Sequence, residues 1–311
     1  MPRFHDADVP NQTGRTAVVT GATGGLGLRV AEVLAAHGAF VLIGSRNPER
    51  GAAALERVRA AATGPAPELA TLDLSDLASV RAAATHIRNR TGDRLDLLIN
   101  NGGIMAPPLA YTPDGFETQW ATNVLGPAVL TWQVLPAIKA TPGSRVVFVS
   151  STRHLGAHLN EARIRADIRG DDYRGFGYYG RTKLADLLLS AELERHLRRT
   201  KTDSISVAAH PGFTATGIVG SGFAGLPGVL RPIANWGMGA LGQRVAIGAL
   251  PILYAATADG VQGNRFFGPR ALGGLRGHPG PARRSHESTS EHLGRTLVRV
   301  IEELTQSVSG L

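Results

Sequence analysis

The chain has 311 residues, 43% of them hydrophobic, which is enough to bury a large core, and α/β folds of this length are commonly one domain. Cysteine is absent, which excludes disulfides, thiol catalysis and cysteine-ligated metal together, and a cytoplasmic protein is the simplest expectation. The net charge of +8, from 33 Lys and Arg against 25 Asp and Glu, rests on scattered arginines rather than a basic stripe, so no nucleic-acid partner is expected.

The first dozen residues are polar and mixed in charge with no signal-peptide core, and no apolar stretch reaches membrane-spanning length. Residues 16–38, TAVVTGATGGLGLRVAEVLAAHG, then read as a buried strand, a glycine-rich turn and an amphipathic helix, the context of a dinucleotide-binding fingerprint. Gly21 turns the chain, Gly25 lets the backbone approach a pyrophosphate, and Gly27 lets the helix pack on the sheet. The spacing fits both TGxxxGxG and TGxxGxxG, because Gly24 and Gly25 are adjacent, and it does not complete GxGxxG. The second strand, FVLIGSRN, ends in Ser45 and Arg46 with no acid. An arginine there suits the 2′-phosphate of NADP, so NADP(H) is the preferred cofactor and NAD(H) the alternative.

Further strand-like runs are LDLLIN, RVVFVS and SISVAAH, alternating with helix-like segments in the pattern of a parallel sheet covered on both faces. In YYGRTKLADLLL, Tyr179 and Lys183 lie four apart on one helix face, where the ammonium favours the phenolate and suits the tyrosine to general acid/base work. YxxxK alone equally describes a surface pair. Residues 213–240 mix glycine and proline with Phe213, Phe223, Trp236 and Met238, which suits a substrate lid with a lipophilic pocket or an oligomer interface. VAIGALPILYAATA is too short to span a membrane and is expected to pack on the sheet. PARRSH at 281–286 is read as exposed tail. His286, Glu287, Glu291 and His292 do not match a metal motif and read as a polar helix face.

Six segments occur in an order that resembles the short-chain dehydrogenases/reductases: TGxxxGxG, LLINNGG at 97–103, ATNVLG with Asn123, VVFVSS ending at Ser151, YxxxK at 179–183, and HPGFTAT at 210–216. NNGGIMAPP, SSTRHLG, the long insert before YGRTK and the tail GPRALGGLRGHP are most similar to the retinol-dehydrogenase-like branch, which includes the oxidoreductase domain of the WW-domain oxidoreductases. The resemblance implies an α/β fold, a Rossmann-type doubly wound parallel sheet of about seven strands with helices on both faces. It covers roughly residues 14–270. The whole of 1–311 is expected as one dinucleotide-binding oxidoreductase domain, with 213–240 as a substrate lid and 270–311 as a C-terminal extension.

The resemblance further implies hydride transfer between a nicotinamide cofactor and a lipophilic aldehyde, ketone or alcohol. Tyr179 would exchange the proton with the substrate oxygen, Lys183 hold the nicotinamide ribose, Ser151 hydrogen-bond the substrate oxygen and Asn123 anchor a water behind Lys183. Ser150 and Ser151 point to opposite faces, so only one can serve. Cofactor contacts are implied for Gly21, Thr23, Gly25, Leu26, Gly27, Ser45, Arg46, Asp73, Leu74, Asn101, Gly102, Lys183, Pro211, Gly212 and Thr216. Asp73 would meet the adenine or serve as a cap beside Ser75. Gly102 replaces the alanine of the family's NNAG and adds backbone freedom there. A homodimer or homotetramer fits the resemblance, and the sequence does not set the subunit number. Two other classes stay open. A non-catalytic nucleotide-sensing regulator would tend to lose the tyrosine and lysine, and an assembly or membrane-surface protein would use 213–240 to hold a partner.

Overall fold

Strand β1 (Thr16–Thr20) alternates its side chains so that Val18 enters one apolar layer and Val19 the other, and both are fully buried. The computed structural model describes residues 3–214 and 242–311. The other parallel strands are β2 (Phe40–Ser45), β3 (Glu68–Thr71), β4 (Leu97–Asn100), β5 (Arg145–Val149), β6 (Ile205–Ala209) and β7 (Phe266–Ala271). Their order is β3-β2-β1-β4-β5-β6-β7, and β8 (Arg276–Pro281) closes the edge antiparallel to β7. The sheet therefore has eight strands, one more than the sequence suggests. The additional strand comes from the tail GLRGHP, whose glycines and prolines mask a strand; an edge position tolerates them.

One face carries α1 (Gly25–Ala36), α2 (Pro48–Ala61) and α8 (Val245–Thr257), so the segment VAIGALPILYAATA packs on the sheet. The other face carries α3 (Leu77–Thr91), α5 (Gly126–Lys139) and α7 (Gly175–Arg199), with α9 (Glu291–Thr305) against α7. The short α4 (Thr118–Trp120) runs into a π-helical turn at Ala121–Leu125 and on into α5. A helix of nine residues, α6 (Glu161–Arg169), occupies the insert before α7.

The order of strand addition reverses between the parallel neighbours β1 and β4, which opens a crevice above their C-terminal ends. Arg284 is not in an exposed tail: it is half-buried over the Phe266 ring, 5.9 Å from its centroid, and bonds Asn264 Oδ1 at 2.8 Å. Burial, with Arg195 nearby, lowers its pKa to about 10. Glu287 accepts from His158 Nδ1 and the Leu159 amide and so ties down neighbouring chain, whereas Glu291 pairs with Arg295 one turn on in its own helix.

Candidate active site

The glycine turn resolves in favour of TGxxxGxG. Gly21 and Gly25 have φ of +64° and +55°, in the left-handed region that favours glycine, whereas Gly24 is extended with nothing within 4 Å of a notional Cβ. At Gly27 a Cβ would lie 2.4 Å from Asn101 Nδ2 and 2.6 Å from the Gly21 carbonyl, so α1 is held against the ends of β1 and β4. Thr20 laces those ends together: its Oγ1 accepts from the Asn101 and Gly102 amides at 3.0 and 2.9 Å, while Asn101 Nδ2 donates to Thr20 O at 2.9 Å. Gly102 has no room to spare, because a Cβ there would meet Leu74 Cδ1 at 2.6 Å; the space an alanine would occupy is filled by leucine.

Above this turn lies a cleft of about 350 Å³. Its wall includes Gly21, Thr23, Gly25, Leu26 and Gly27 from the first turn, and Ser45 and Arg46 from the end of β2. Asp73, Leu74, Asn101 and Gly102 complete the far side. Gly103, Asn47 and Arg50 also line it, and none of the three is evident from spacing alone. Arg50 stands exposed in the first turn of α2, whose N-cap Asn47 accepts from the Arg50 amide at 2.7 Å. The Ser45 hydroxyl is engaged within its own turn, donating to Asn47 O at 2.9 Å. Asp73 faces the cleft and is not the cap of α3, which is Asp76; in the turn before that helix its Oδ1 accepts from the Ser75 amide and hydroxyl at 2.9 and 2.6 Å, and lies 3.9 Å from Arg46 Nη1. An open cleft whose floor excludes side chains by contact and whose rim carries Arg46 and Arg50 fits a phosphorylated dinucleotide.

Pro211 and Gly212 do not line this cleft. Their turn is tied to the β7–β8 connection, with the Phe213 amide donating to Leu275 O at 2.8 Å and Gln243 Nε2 donating to Pro211 O at 2.6 Å. Thr216, Phe223, Trp236 and Met238, with nearly all of the expected lid, lie outside the described residues.

Lys183 is buried on α7, its Nζ 5.7 Å from the centroid of the half-buried Tyr179 ring. The ammonium donates to Val149 O at 2.9 Å and to Asp186 Oδ2 at 2.8 Å. A Cβ on Gly103 would come within 3.7 Å of Nζ and 3.1 Å of Asn123 Oδ1, so both side chains lie behind Gly103, which lines the cleft, and do not line it themselves. Burial would depress the Lys183 ammonium, yet Asp186 and Tyr179 together raise it above its ordinary value. Burial likewise carries Asp186 up to about 6, with Lys183 opposing. For so tight a pair the charged lysine and carboxylate are the forms that the 2.8 Å contact favours.

Asn123 sits in the π-helical turn, a feature frequent at functional sites. Its Oδ1 accepts from the Ile104 amide at 2.8 Å, and its Nδ2 donates to Ile104 O at 2.9 Å and to Thr182 Oγ1 at 3.1 Å. Thr182 in turn donates to Tyr179 O at 2.9 Å, so Asn123 braces both the loop after β4 and the turn carrying the tyrosine. The two serines separate as strand alternation requires. Ser150 is buried and donates to Lys183 O at 2.7 Å, whereas Ser151 is half-exposed at the start of the turn Thr152–Gly156. Tyr178 is fully buried against Tyr173 and Arg181, and its hydroxyl donates to Asp171 O. Burial, with Asp167 adding, raises its phenol, so Tyr179 is the tyrosine of this pair open to chemistry.

A larger cleft of about 990 Å³ lies beside the turn Thr152–Gly156 and the start of α7, lined by Arg153, Arg163, Arg174 and Arg181. It does not touch the glycine turn, so its size does not make it the cofactor cleft. Arg163 and Arg181 already hold the buried Asp167.

Comparison with known proteins agrees with this geometry. The family model described as short chain dehydrogenase matches residues 15–160. Retinol dehydrogenase 12 of Bos taurus is 37% identical over 211 residues, 68% of this chain and 65% of that protein, so the match spans a little under two thirds of its length. Polyprenol dehydrogenase of Mus musculus is 34% identical over 265 residues, covering 84% of this chain and 76% of that protein. Among solved structures, an uncharacterized protein from Mycobacterium Paratuberculosis superposes with a TM-score of 0.79 at 34% identity, covering 100% of both chains. A metagenomic short-chain oxidoreductase in complex with NADP gives 0.52 at 26% identity over 65% of this chain and 84% of that one. The chain belongs to the short-chain dehydrogenases/reductases, in their retinol-dehydrogenase-like branch, and is a NAD(P)-dependent oxidoreductase.

Proposed function

We propose that the protein transfers hydride between NADP(H) and a lipophilic aldehyde, ketone or alcohol, with Tyr179 as the acid/base. The observation that carries this reading is the position of Lys183 Nζ, 5.7 Å from the Tyr179 ring centroid and 3.7 Å from where a Cβ would stand on Gly103, a residue of the glycine-turn cleft. A nicotinamide cofactor supplies or takes up the hydride. Gly21, Thr23, Gly25, Leu26 and Gly27 would border its pyrophosphate, Asp73, Leu74, Asn101 and Gly102 its adenosine, and Pro211, Gly212 and Thr216 its carboxamide end. Arg46 and Arg50 would pair with the 2′-phosphate, and Ser45 would shape the turn beside it. The relative solved with NADP supports that preference.

In reduction, Tyr179 gives its proton to the substrate oxygen while the Ser151 hydroxyl bonds and steadies that oxygen. Lys183 keeps a positive charge beside the phenol and offers its third N–H to the nicotinamide ribose, since two are engaged by Val149 and Asp186. Asn123 holds the loop after β4 and the Tyr179 turn in register.

Lipophilic substrates are supported by the distribution of exposed apolar groups. Seven large hydrophobic side chains are exposed among the described residues, and six of them (Leu109, Tyr111, Leu155, Phe176, Leu272 and Leu275) lie on segments that follow the C-terminal ends of strands. The names of the relatives, retinol and polyprenol dehydrogenases, point the same way. NADPH oxidation with straight-chain aldehydes of increasing length tests the reading: kcat/KM should rise with length, and NADH should serve less well. No turnover across the series, or a preference for small polar carbonyls, would refute it.

A further inference from the structure

Asp186 follows Lys183 by three residues on α7 and has its carboxylate 2.8 Å from Nζ, with the two side chains 5% and 6% exposed. A buried carboxylate is costly to desolvate, so such a pair survives only where its geometry offsets the burial. Here it fixes two of the ammonium's three donors, one on Asp186 and one on the carbonyl ending β5. The groups facing the pair from neighbouring elements are neutral: the Val149 carbonyl from β5, Asn123 from the π-helical turn and Gly103 from the loop after β4. Among the described residues, the ionisable groups acting on Lys183 are Asp186 and Tyr179, both on its own helix.

We propose that Asp186 is a positioning residue for the reaction, keeping Lys183 charged inside the fold and aiming its remaining N–H at the cofactor. The carboxylate transfers no proton to substrate and acts only through Lys183. Without it the ammonium would stay buried among neutral partners, the condition under which lysines discharge well below their usual pH. The proposal rests on the reading of Lys183 as the ribose-binding group.

The test is NADPH affinity by fluorescence titration from pH 7 to 9.5, which needs no substrate. Asp186→Asn keeps an acceptor for Nζ and removes only the charge. Its affinity should fall with rising pH by about tenfold more than the parent's, as Lys183 loses the proton behind a charge-assisted bond. In a Lys183→Ala background, Asp186→Asn should add no pH dependence. Should Asp186→Asn not fold, Asp186→Ala, which leaves room for water, is expected to show the same slope. Parallel profiles for variant and parent, with affinity weakened in Lys183→Ala, would overturn the role of Asp186 alone. An equal slope in the Lys183→Ala background would mean that Asp186 acts without the lysine and would also overturn it. Unchanged affinity in Lys183→Ala would remove the ribose role and this inference with it.

Discussion

At Tyr179 the difference that matters is one hydroxyl. Tyr179→Phe keeps the ring beside Lys183 and leaves the glycine-turn cleft intact, so NADPH should bind as before while carbonyl reduction drops by about two orders of magnitude or more. Near-normal turnover in that variant would reassign the proton donor. Arg46 is solvent-exposed and contacts Asp73 only at 3.9 Å, so a phosphate contact there is partly screened. Arg46→Ala should cost NADPH about 1.5 kcal/mol, the low end for a charge-assisted bond, and leave NADH nearly unchanged. Adding Arg50→Ala should deepen the loss for NADPH alone; equal losses for both cofactors would show that the arginines support the fold. The sequence makes Tyr179 and Lys183 legible because four-residue spacing on a helix fixes a shared face. It does not distinguish Asp186, which has the spacing of any helical ion pair; only its burial sets it apart. Arg50 is hidden for another reason, since it reads as one more exposed arginine in a helix until the end of β2 is folded beside it.

The β1 turn and α1 behave as one clamp on β4. Gly27→Ala would press a methyl group against Asn101 Nδ2, which cannot retreat without breaking its bond to Thr20 O, and against the Gly21 carbonyl. A loss of about 2 kcal/mol in urea denaturation and weakened NADPH binding are expected. Gly24→Ala has open space and extended backbone, so its denaturation midpoint should stay near the parent's; equal damage from both changes would refute the clamp. This element is readable in sequence because its glycines recur at fixed spacing between a strand and a helix, even though the contacts that require Gly21 and Gly27 are made with Gly102 and Asn101, far along the chain. The edge elements are less so. Strand β3 is only ELAT, half-exposed and without strong alternation, and β7 and β8 carry glycine and proline that normally mark turns. Their pairing depends on neighbours far along the chain, as when Ala208 and Ala209 meet Phe266 and Phe267, and local pattern cannot supply it.

Across the whole molecule, Phe266 of β7 joins the edge hairpin to the chain following β5 and β6. His154, following Ser151, packs edge-on to it at 5.4 Å, and His210, ending β6, lies tilted at 5.1 Å. Both histidines are buried, and His210 Nδ1 accepts from the Gly212 amide at 3.2 Å, so its neutral form is the one built into the fold. Burial, with His154 nearby, lowers the His210 pKa to about 4; burial also lowers His154. An unfolded histidine takes up its proton near pH 6.5, so between about 6.5 and 4 the unfolded chain binds more protons and stability falls with pH, by at most about 3 kcal/mol for His210. Glu117 works in the opposite sense. Burial raises its pKa to about 7, so its contribution is full below the ordinary carboxylate range and is lost as pH rises through about 7. The parent's own stability profile is therefore flattened between these limits, and the histidine must be read by difference. His210→Asn keeps an acceptor for Gly212 but removes the titration and part of the packing on Phe266. It should be less stable than the parent at pH 7.5, with the gap narrowing by about 2 kcal/mol as pH falls to 4.5. Urea denaturation at both pH values measures it. A gap that stays constant would mean that His210 does not titrate differently on folding, and the acid sensitivity of this corner would then have to come from other groups.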